Sequence, residues 1–205
     1  MKKLFRRVVV LSCISFLMCY GMALAQGPYI SGNVGISILS DSDISDSTGS
    51  LTLEFDPGFA SAIAAGYDFG LARLEGEIGY QTNDIDKIGA SGVSISASGD
   101  VSSTSFLVNG YYDFTNSSQL TPYISAGIGV AQVEVNDLAV LGIPVGSEDD
   151  TVFAYQLGVG VGYSVTDAIT LDMKYRYFAT ADPDFDGIDG ECASHNVYLG
   201  LRYNF

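Results

Sequence analysis

Residues 169–177 read Ile-Thr-Leu-Asp-Met-Lys-Tyr-Arg-Tyr, and their alternation decides the fold. The odd positions carry Ile169, Leu171, Met173, Tyr175 and Tyr177, and the even ones carry Thr170, Asp172, Lys174 and Arg176. Successive side chains of a strand point to opposite faces, so this segment is a strand with one apolar face and one ionic face. The C-terminal stretch repeats the pattern: Val197, Leu199, Leu201, Tyr203 and Phe205 alternate with Asn196, Tyr198, Gly200, Arg202 and Asn204. From 153 to 163, Phe153, Tyr155, Leu157, Val159, Val161 and Tyr163 alternate with Ala154, Gln156, Gly158, Gly160 and Gly162.

The same period-2 reading predicts eight strands, near 28–39, 58–69, 71–81, 102–114, 121–133, 152–164, 168–178 and 195–205. Their connections alternate in length. Short ones fall near 68–71, 115–120 and 164–167; long ones fall near 40–57, 82–101, 134–151 and 179–194. An even number of antiparallel strands with short turns on one side and long loops on the other predicts an all-β fold, an eight-stranded antiparallel up-and-down transmembrane β-barrel. Both chain termini then fall on the short-turn side, which is the periplasm.

Charge alone leaves two orientations open. Arg73, Glu75, Glu77, Asp172, Lys174, Arg176 and Arg202 all sit opposite their strands' apolar stripes. A soluble barrel would turn the apolar stripe inward, whereas a membrane barrel turns it toward lipid, where each Arg or Lys near the midplane would cost about 2–4 kcal/mol. Aromatic placement separates the two. Tyr80, Phe106, Phe153, Tyr155, Tyr175 and Tyr177 fall at the outer ends of their strands, and Tyr67, Phe69, Tyr112, Phe114, Tyr163, Tyr203 and Phe205 at the inner ends, all at the apolar parity. Two aromatic girdles around an aliphatic band belong to a barrel that crosses a membrane. The seven charged residues therefore form a predicted ion-pair network that fills the lumen and fixes register. Eight strands enclose room for side chains but not for a wide channel, which leaves leakage of small solutes as the sharper alternative.

Residues 1–25 belong to a separate object. Lys2, Lys3, Arg6 and Arg7 precede an apolar run, 8–20, and Ala23-Leu24-Ala25 supplies a small-x-small cleavage site; this is the pattern of a secretory signal peptide. The barrel domain is accordingly 26–205. Cleavage removes four of the nine basic residues, leaving five against 24 acids, a formal charge of −19. Such a charge repels phosphate and excludes nucleic acid as a partner. With 47% hydrophobic and 16% charged residues the chain is not disordered as a whole. Cys192 is left alone, so no internal disulfide can form.

The long connections collect most of the acids, which read first as a solvated, aggregation-resistant surface. Within the last of them, Asp182-Pro183-Asp184-Phe185-Asp186-Gly187 matches the opening of a calcium loop, with Asp182, Asp184 and Asp186 as the ligand set. Its twelfth position falls on Ala193, which cannot ligate. His195 is the one histidine and neighbours Ser194, but adjacent strand residues face opposite ways, so no nucleophile–base–orienter set assembles there. The glycines at 158, 160 and 162 precede no helix and read as small lumenal residues rather than a phosphate loop. No cofactor motif is found.

The chain resembles the OmpA-like, opacity-protein-type family of eight-stranded outer-membrane barrels, the porin-family surface proteins. The resemblance rests on Arg73-Leu74-Glu75-Gly76-Glu77-Ile78-Gly79-Tyr80, Asn109-Gly110-Tyr111-Tyr112-Asp113-Phe114, Pro122 to Val130, Tyr155 to Gly160, Leu171 to Phe178 and Leu199 to Phe205. It implies that Tyr203 and Phe205 are read by the barrel-assembly machinery. The larger members carry a periplasmic peptidoglycan-binding domain; this chain stops at Phe205, and cell-wall tethering is not expected. The expected protein is a monomer of the cell outer membrane, in contact with lipid and lipopolysaccharide. Its expected role is structural or adhesin-like, through loops 40–57 and 179–194 and a host or matrix partner. The expected alternatives are a lipid-acting (deacylase-like) barrel enzyme and a narrow solute pore.

Overall fold

The computed structural model describes residues 27–40, 42–46, 49–90, 93–140, 143–181, 184–185, 188–189 and 193–205. Side chains are described for 27–40, 56–85, 99–136, 149–181 and 193–205. Twelve strands follow one another: β1 (Gly27–Leu39), β2 (Ser42–Asp46), β3 (Gly49–Phe55), β4 (Gly58–Asp68), β5 (Ala72–Ala90), β6 (Val93–Asp113), β7 (Leu120–Val140), β8 (Ile143–Ser164), β9 (Ile169–Thr180), β10 (Asp184–Phe185), β11 (Ile188–Asp189) and β12 (Ala193–Asn204). Eight of them, β1, β4, β5, β6, β7, β8, β9 and β12, pair antiparallel in chain order, and β12 closes on β1 from Tyr29↔Asn204 to Leu39↔Ser194. Closure satisfies every staved amide within the ladder, the condition for crossing hydrocarbon.

The face assignment is unambiguous. Leu199 is 64% exposed, Met173 54% and Leu201 48%, while Arg202 is 8% exposed inside. The aliphatic band carries Ile30, Val34, Ile63, Ile78, Val108, Ile128 and Val159 on its exterior, and the aromatic girdles stand exposed beside it. Tyr67–Phe69, Tyr112–Phe114 and Tyr203–Phe205 pack as ring pairs along the inner girdle.

The lumen is filled by alternation of large and small residues across the ladder. Tyr29 stands opposite Gly66 and Tyr123 opposite Gly160. A Cβ at either glycine would lie 2.5 Å from the facing tyrosine's Cζ, so only glycine admits the ring. The stripe Gly158, Gly160 and Gly162 of β8 also faces Arg176, Lys174 and Asp172 of β9, and makes room for both sides at once.

Two expectations about the connections need correction. The stretches 82–101 and 134–151 are not loops: β5 and β6 run 19 and 21 residues, and β7 and β8 run 21 and 22. Alternation ends at the membrane because both faces are wet beyond it, but a ladder needs only a partner strand, so the hairpins continue. Register shifts at Asp84/Lys87, Ser98/Asp100 and Val135/Leu138 mark the passage out of the barrel. The connection 40–57 is likewise a β2–β3 hairpin whose β3 joins the outer half of β5. Beyond the rim the strands thus form an open sheet in the order β2-β3-β5-β6-β7-β8.

Candidate functional site

The lumen is built in tiers. At the periplasmic end Arg73 makes a bidentate pair with Asp113, Nε to Oδ2 at 2.7 Å and Nη2 to Oδ1 at 2.8 Å. Its guanidinium lies 4.2 Å from the Tyr111 ring centroid and 4.8 Å from that of Tyr123. A planar cation held by a matched carboxylate and sandwiched by rings is fixed in direction as well as charge. One level up, Glu75 accepts from the Tyr29 hydroxyl at 3.0 Å, the Tyr111 hydroxyl at 2.8 Å and the Asn109 amide at 3.3 Å.

Glu77 is the junction of the middle tier. It takes Arg176 Nη1 at 2.8 Å, Lys174 Nζ at 3.5 Å and Asn109 Nδ2 at 3.2 Å, with its own side chain fully buried. Arg176 also donates through Nη2 to the Tyr198 hydroxyl, and its guanidinium lies over the Tyr198 and Phe178 rings. Arg202 approaches Asp172 at 3.7 Å, longer than a hydrogen bond, and sits 5.6 Å from the Tyr29 ring centroid. Toward the cell surface the lumen turns neutral. Gln156 donates to Asn109, Ser194 and Asn196 donate to Gln81, and Leu107, Ala131, Ala154 and Phe178 form an apolar cluster.

The seven charged residues singled out from sequence all face the lumen, and the structure brings Glu77 to Lys174 and Arg176, and Asp172 to Arg202. Arg73 pairs instead with Asp113, a residue outside that set. Tyr29, Asn109, Tyr111, Tyr123 and Tyr198 were also missed. The signal for them was available: in β6 the exterior parity holds Phe106, Val108 and Tyr112, so Leu107, Asn109, Tyr111 and Asp113 must face inward.

A cavity of about 530 Å³ opens at the periplasmic mouth, lined by turn residues with Asp68, Asp113, Thr170, Arg202 and Asn204. On the exterior, at the outer girdle, Tyr175 Oη and His195 Nδ1 are hydrogen-bonded at 2.6 Å, and Tyr177 packs on the same imidazole at 5.4 Å between centroids. Ser194 faces the lumen and bonds Gln81, so it and His195 lie on opposite sides of the sheet.

Asp182, Asp186 and Cys192 lie outside the described residues, as does the leader 1–25. Asp184 is placed as backbone only, opposite Asp189 in the β10–β11 ribbon. Among the described residues no group of His, Cys, Asp and Glu is arranged to hold a metal.

The surface side of the site is backbone. From the outer girdle at Phe153, β8 runs outward through Val152 to Ile143, ten residues or about 33 Å of strand. The four long strands β5–β8 carry their hairpins well beyond any lipid.

Comparison with known proteins places this architecture. The outer membrane protein beta-barrel domain family matches residues 10–205. Outer membrane protein PagN of Salmonella typhimurium is 31% identical, over 88% of this chain and 90% of that protein. A candidate adhesin of Rickettsia bellii is 26% identical, over 55% of this chain and 58% of the relative. Among solved structures, Neisserial surface protein A superposes with a TM-score of 0.62 at 24% identity, over 88% of this chain and 99% of that one, a likeness of fold. Charged lumen, apolar girdled exterior and long surface hairpins agree with these matches: the chain belongs to the outer membrane protein β-barrel domain family and is a surface protein of the cell outer membrane.

Proposed function

We propose that the protein is a non-enzymatic adhesin: a plugged barrel that holds surface hairpins toward a host or matrix partner. The observation that carries this reading is the contrast between the two ends of one set of strands. Within the membrane the space is consumed by ion pairs and tyrosines, which suits neither a passage nor a reaction chamber. Outside it, four strands are prolonged well past lipid, and that length has no use in spanning. The Rickettsia relative, named as a candidate adhesin, supports the same direction.

In this reading residues 1–25 are a cleaved leader, Tyr203 and Phe205 serve recognition by the assembly machinery, and lipopolysaccharide is the outer-leaflet lipid against the upper girdle. The lumenal network holds the staves in register, and the protein works as a monomer.

The test is a gain of function. A non-adherent bacterial host expressing the protein at its surface should bind cultured epithelial cells or matrix-coated wells. A variant with shortened hairpins, lacking 86–97 and 137–147, should fold and not adhere. No gain in adherence with the protein verified at the surface refutes the reading. His195→Ala separates the enzymatic alternative. Adherence and lipid A composition should both be unchanged by it; a protein-dependent loss of acyl chains that His195→Ala abolishes would replace the adhesin with a lipid-acting enzyme.

A further inference from the structure

Two buried charges of opposite sign stand unmatched at the periplasmic mouth. Asp68, the last residue of β4, is 8% exposed. Its Oδ1 accepts the Gly70 amide at 2.6 Å, and among the described residues it forms no ion pair. Arg202 of β12 is also 8% exposed. It meets Asp172 only at 3.7 Å, and its buried Nε makes no hydrogen bond. Asn204, two residues on, keeps a buried Oδ1 that has no donor. Buried charges are destabilising unless they are matched and hydrogen-bonded. Here an acid, a base and an amide oxygen are left wanting, and all three residues line one cavity of about 530 Å³.

The sheet register shows why the two charges do not satisfy each other. On the neighbour they share, β1, Arg202 aligns with Ser31 and Asp68 with Gly27. The Arg202 guanidinium comes down to the Tyr29 ring, 5.6 Å from its centroid, which leaves two residues of strand, about 7 Å, to the level of Asp68. Two extended residues part the ends of a peptide by about 7 Å, whereas a single α-amino acid carries both charges on one carbon. The cavity is of small-molecule size. Of its other acids, Asp113 is committed to Arg73 through both oxygens, and Asp167 is exposed in its turn. Thr115, Thr121, Ser164, Thr170 and Gln119 complete a wall that suits a peptide group better than an apolar ligand.

We propose that the periplasmic mouth is a binding site for a short peptide with free ends, a zwitterion of dipeptide length. Its ammonium donates to the Asp68 carboxylate and to Asn204 Oδ1. Its carboxylate takes the fork of Arg202, including the Nε that now has no acceptor, in the geometry guanidinium and carboxylate favour. The hydroxyl-bearing wall bonds the central amide. Recognition is of the two charged ends, so the side chains of the peptide matter little. The site lies at the opposite end of the barrel from the surface hairpins, and it stands or falls independently of adhesion.

The probe is glycylglycine, titrated against the mature protein, 26–205, folded in lipid nanodiscs and followed by backbone amide NMR. Saturable shifts should gather at Thr121, Thr170, Arg202 and Asn204 and leave the hairpins 86–97 and 137–147 unmoved. N-acetylglycylglycine lacks the ammonium, glycylglycinamide lacks the carboxylate, and glycine lacks the length; each should bind at least tenfold more weakly. Arg202→Gln should lose affinity at least tenfold and no longer distinguish glycylglycine from its amide. Asp68→Asn should lose as much and no longer distinguish it from the acetylated form. The blocked peptides act on the unaltered protein, so they decide the matter even where a variant folds poorly. No saturable shift at the mouth, or affinities within twofold for glycylglycine and both blocked forms, overturns the proposal, and so does glycine binding within twofold of glycylglycine. Binding that appears only after the chain's own amine at Gln26 is acetylated also overturns it: Gly27 aligns with Asp68, and that amine would then be the occupant.

Discussion

Replacing Glu77 by leucine is the sharpest perturbation the lumen offers. Glu77 is 2% exposed and joins two buried cations, Arg176 at 2.8 Å and Lys174 at 3.5 Å, while accepting from Asn109 at 3.2 Å. Removing one member of a buried ionic set leaves the others charged and unpaired, a loss of about 3–5 kcal/mol. At about 1.4 kcal/mol per decade, that shifts the folding equilibrium by two to nearly four decades. With urea slopes of about 1–3 kcal/mol/M, the midpoint of unfolding from lipid vesicles should fall by at least about 1 M. Glu77→Gln keeps an acceptor for Arg176 and Asn109, and should lose less. Combining Glu77→Leu with Arg176→Met should cost less than the sum of the two, because the second change removes a charge the first has stranded. A Glu77→Leu unfolding free energy within about 0.5 kcal/mol of the parent, or strict additivity in the cycle, would show that the lumen screens charge as bulk water does and refute the reasoning.

Three further outcomes follow from other parts of the barrel. Leu199→Arg places a cation on a mid-strand exterior position that is 64% exposed, and should cost about 2–4 kcal/mol in lipid-vesicle unfolding; a cost below about 0.5 kcal/mol, the norm for a water-facing site, would contradict a hydrocarbon environment there. Gly160→Ala puts a Cβ 2.5 Å from the Tyr123 ring and 2.7 Å from the Met173 carbonyl oxygen, and should destabilise by about 1–3 kcal/mol, partly relieved in a Tyr123→Leu background; unchanged unfolding would rule out the ring-over-glycine contact. Arg202→Leu should lower the urea midpoint less than Glu77→Leu, since Arg202 meets Asp172 only at 3.7 Å, and should leave planar-bilayer current at baseline; sustained channel openings would show that the lumen is not plugged.

The membrane-spanning part was legible because lipid imposes a rule on every residue that touches it. The alternation of 169–177 assigns Met173 and Tyr175 to one face and Lys174 and Arg176 to the other, and the structure keeps that division. Pairing partners were not legible. Parity says that Arg73 faces inward, but its choice of Asp113 depends on the stagger between β5 and β6, where Arg73 aligns with Tyr111 and Asp113 lies two residues on. Stagger is set by closure of all the staves together, not by one strand. The hairpins beyond the rim were misread for a different reason. In Val135-Asn136-Asp137-Leu138, polar and apolar residues follow no period, because water bathes both sides of the strand. What keeps that segment extended is the neighbouring strand, which a periodicity does not report.

One hydrogen-bonding rule gives the two ends of this molecule opposite forms. In hydrocarbon an unpaired amide has no alternative partner, so the sheet must return on itself and β12 must meet β1. Above the rim water satisfies any amide, closure is no longer compelled, and among the described residues the sheet runs from β2 on one side to β8 on the other. The charges follow the same boundary. Arg73, Lys174, Arg176 and Arg202 are held by carboxylates and rings inside, and the surface hairpins are left acidic. Because the stabilising contacts of the staves lie below the outer girdle, the hairpins can change sequence with little effect on the barrel. A recognition surface built there can therefore vary with its partner while the transmembrane ladder stays fixed.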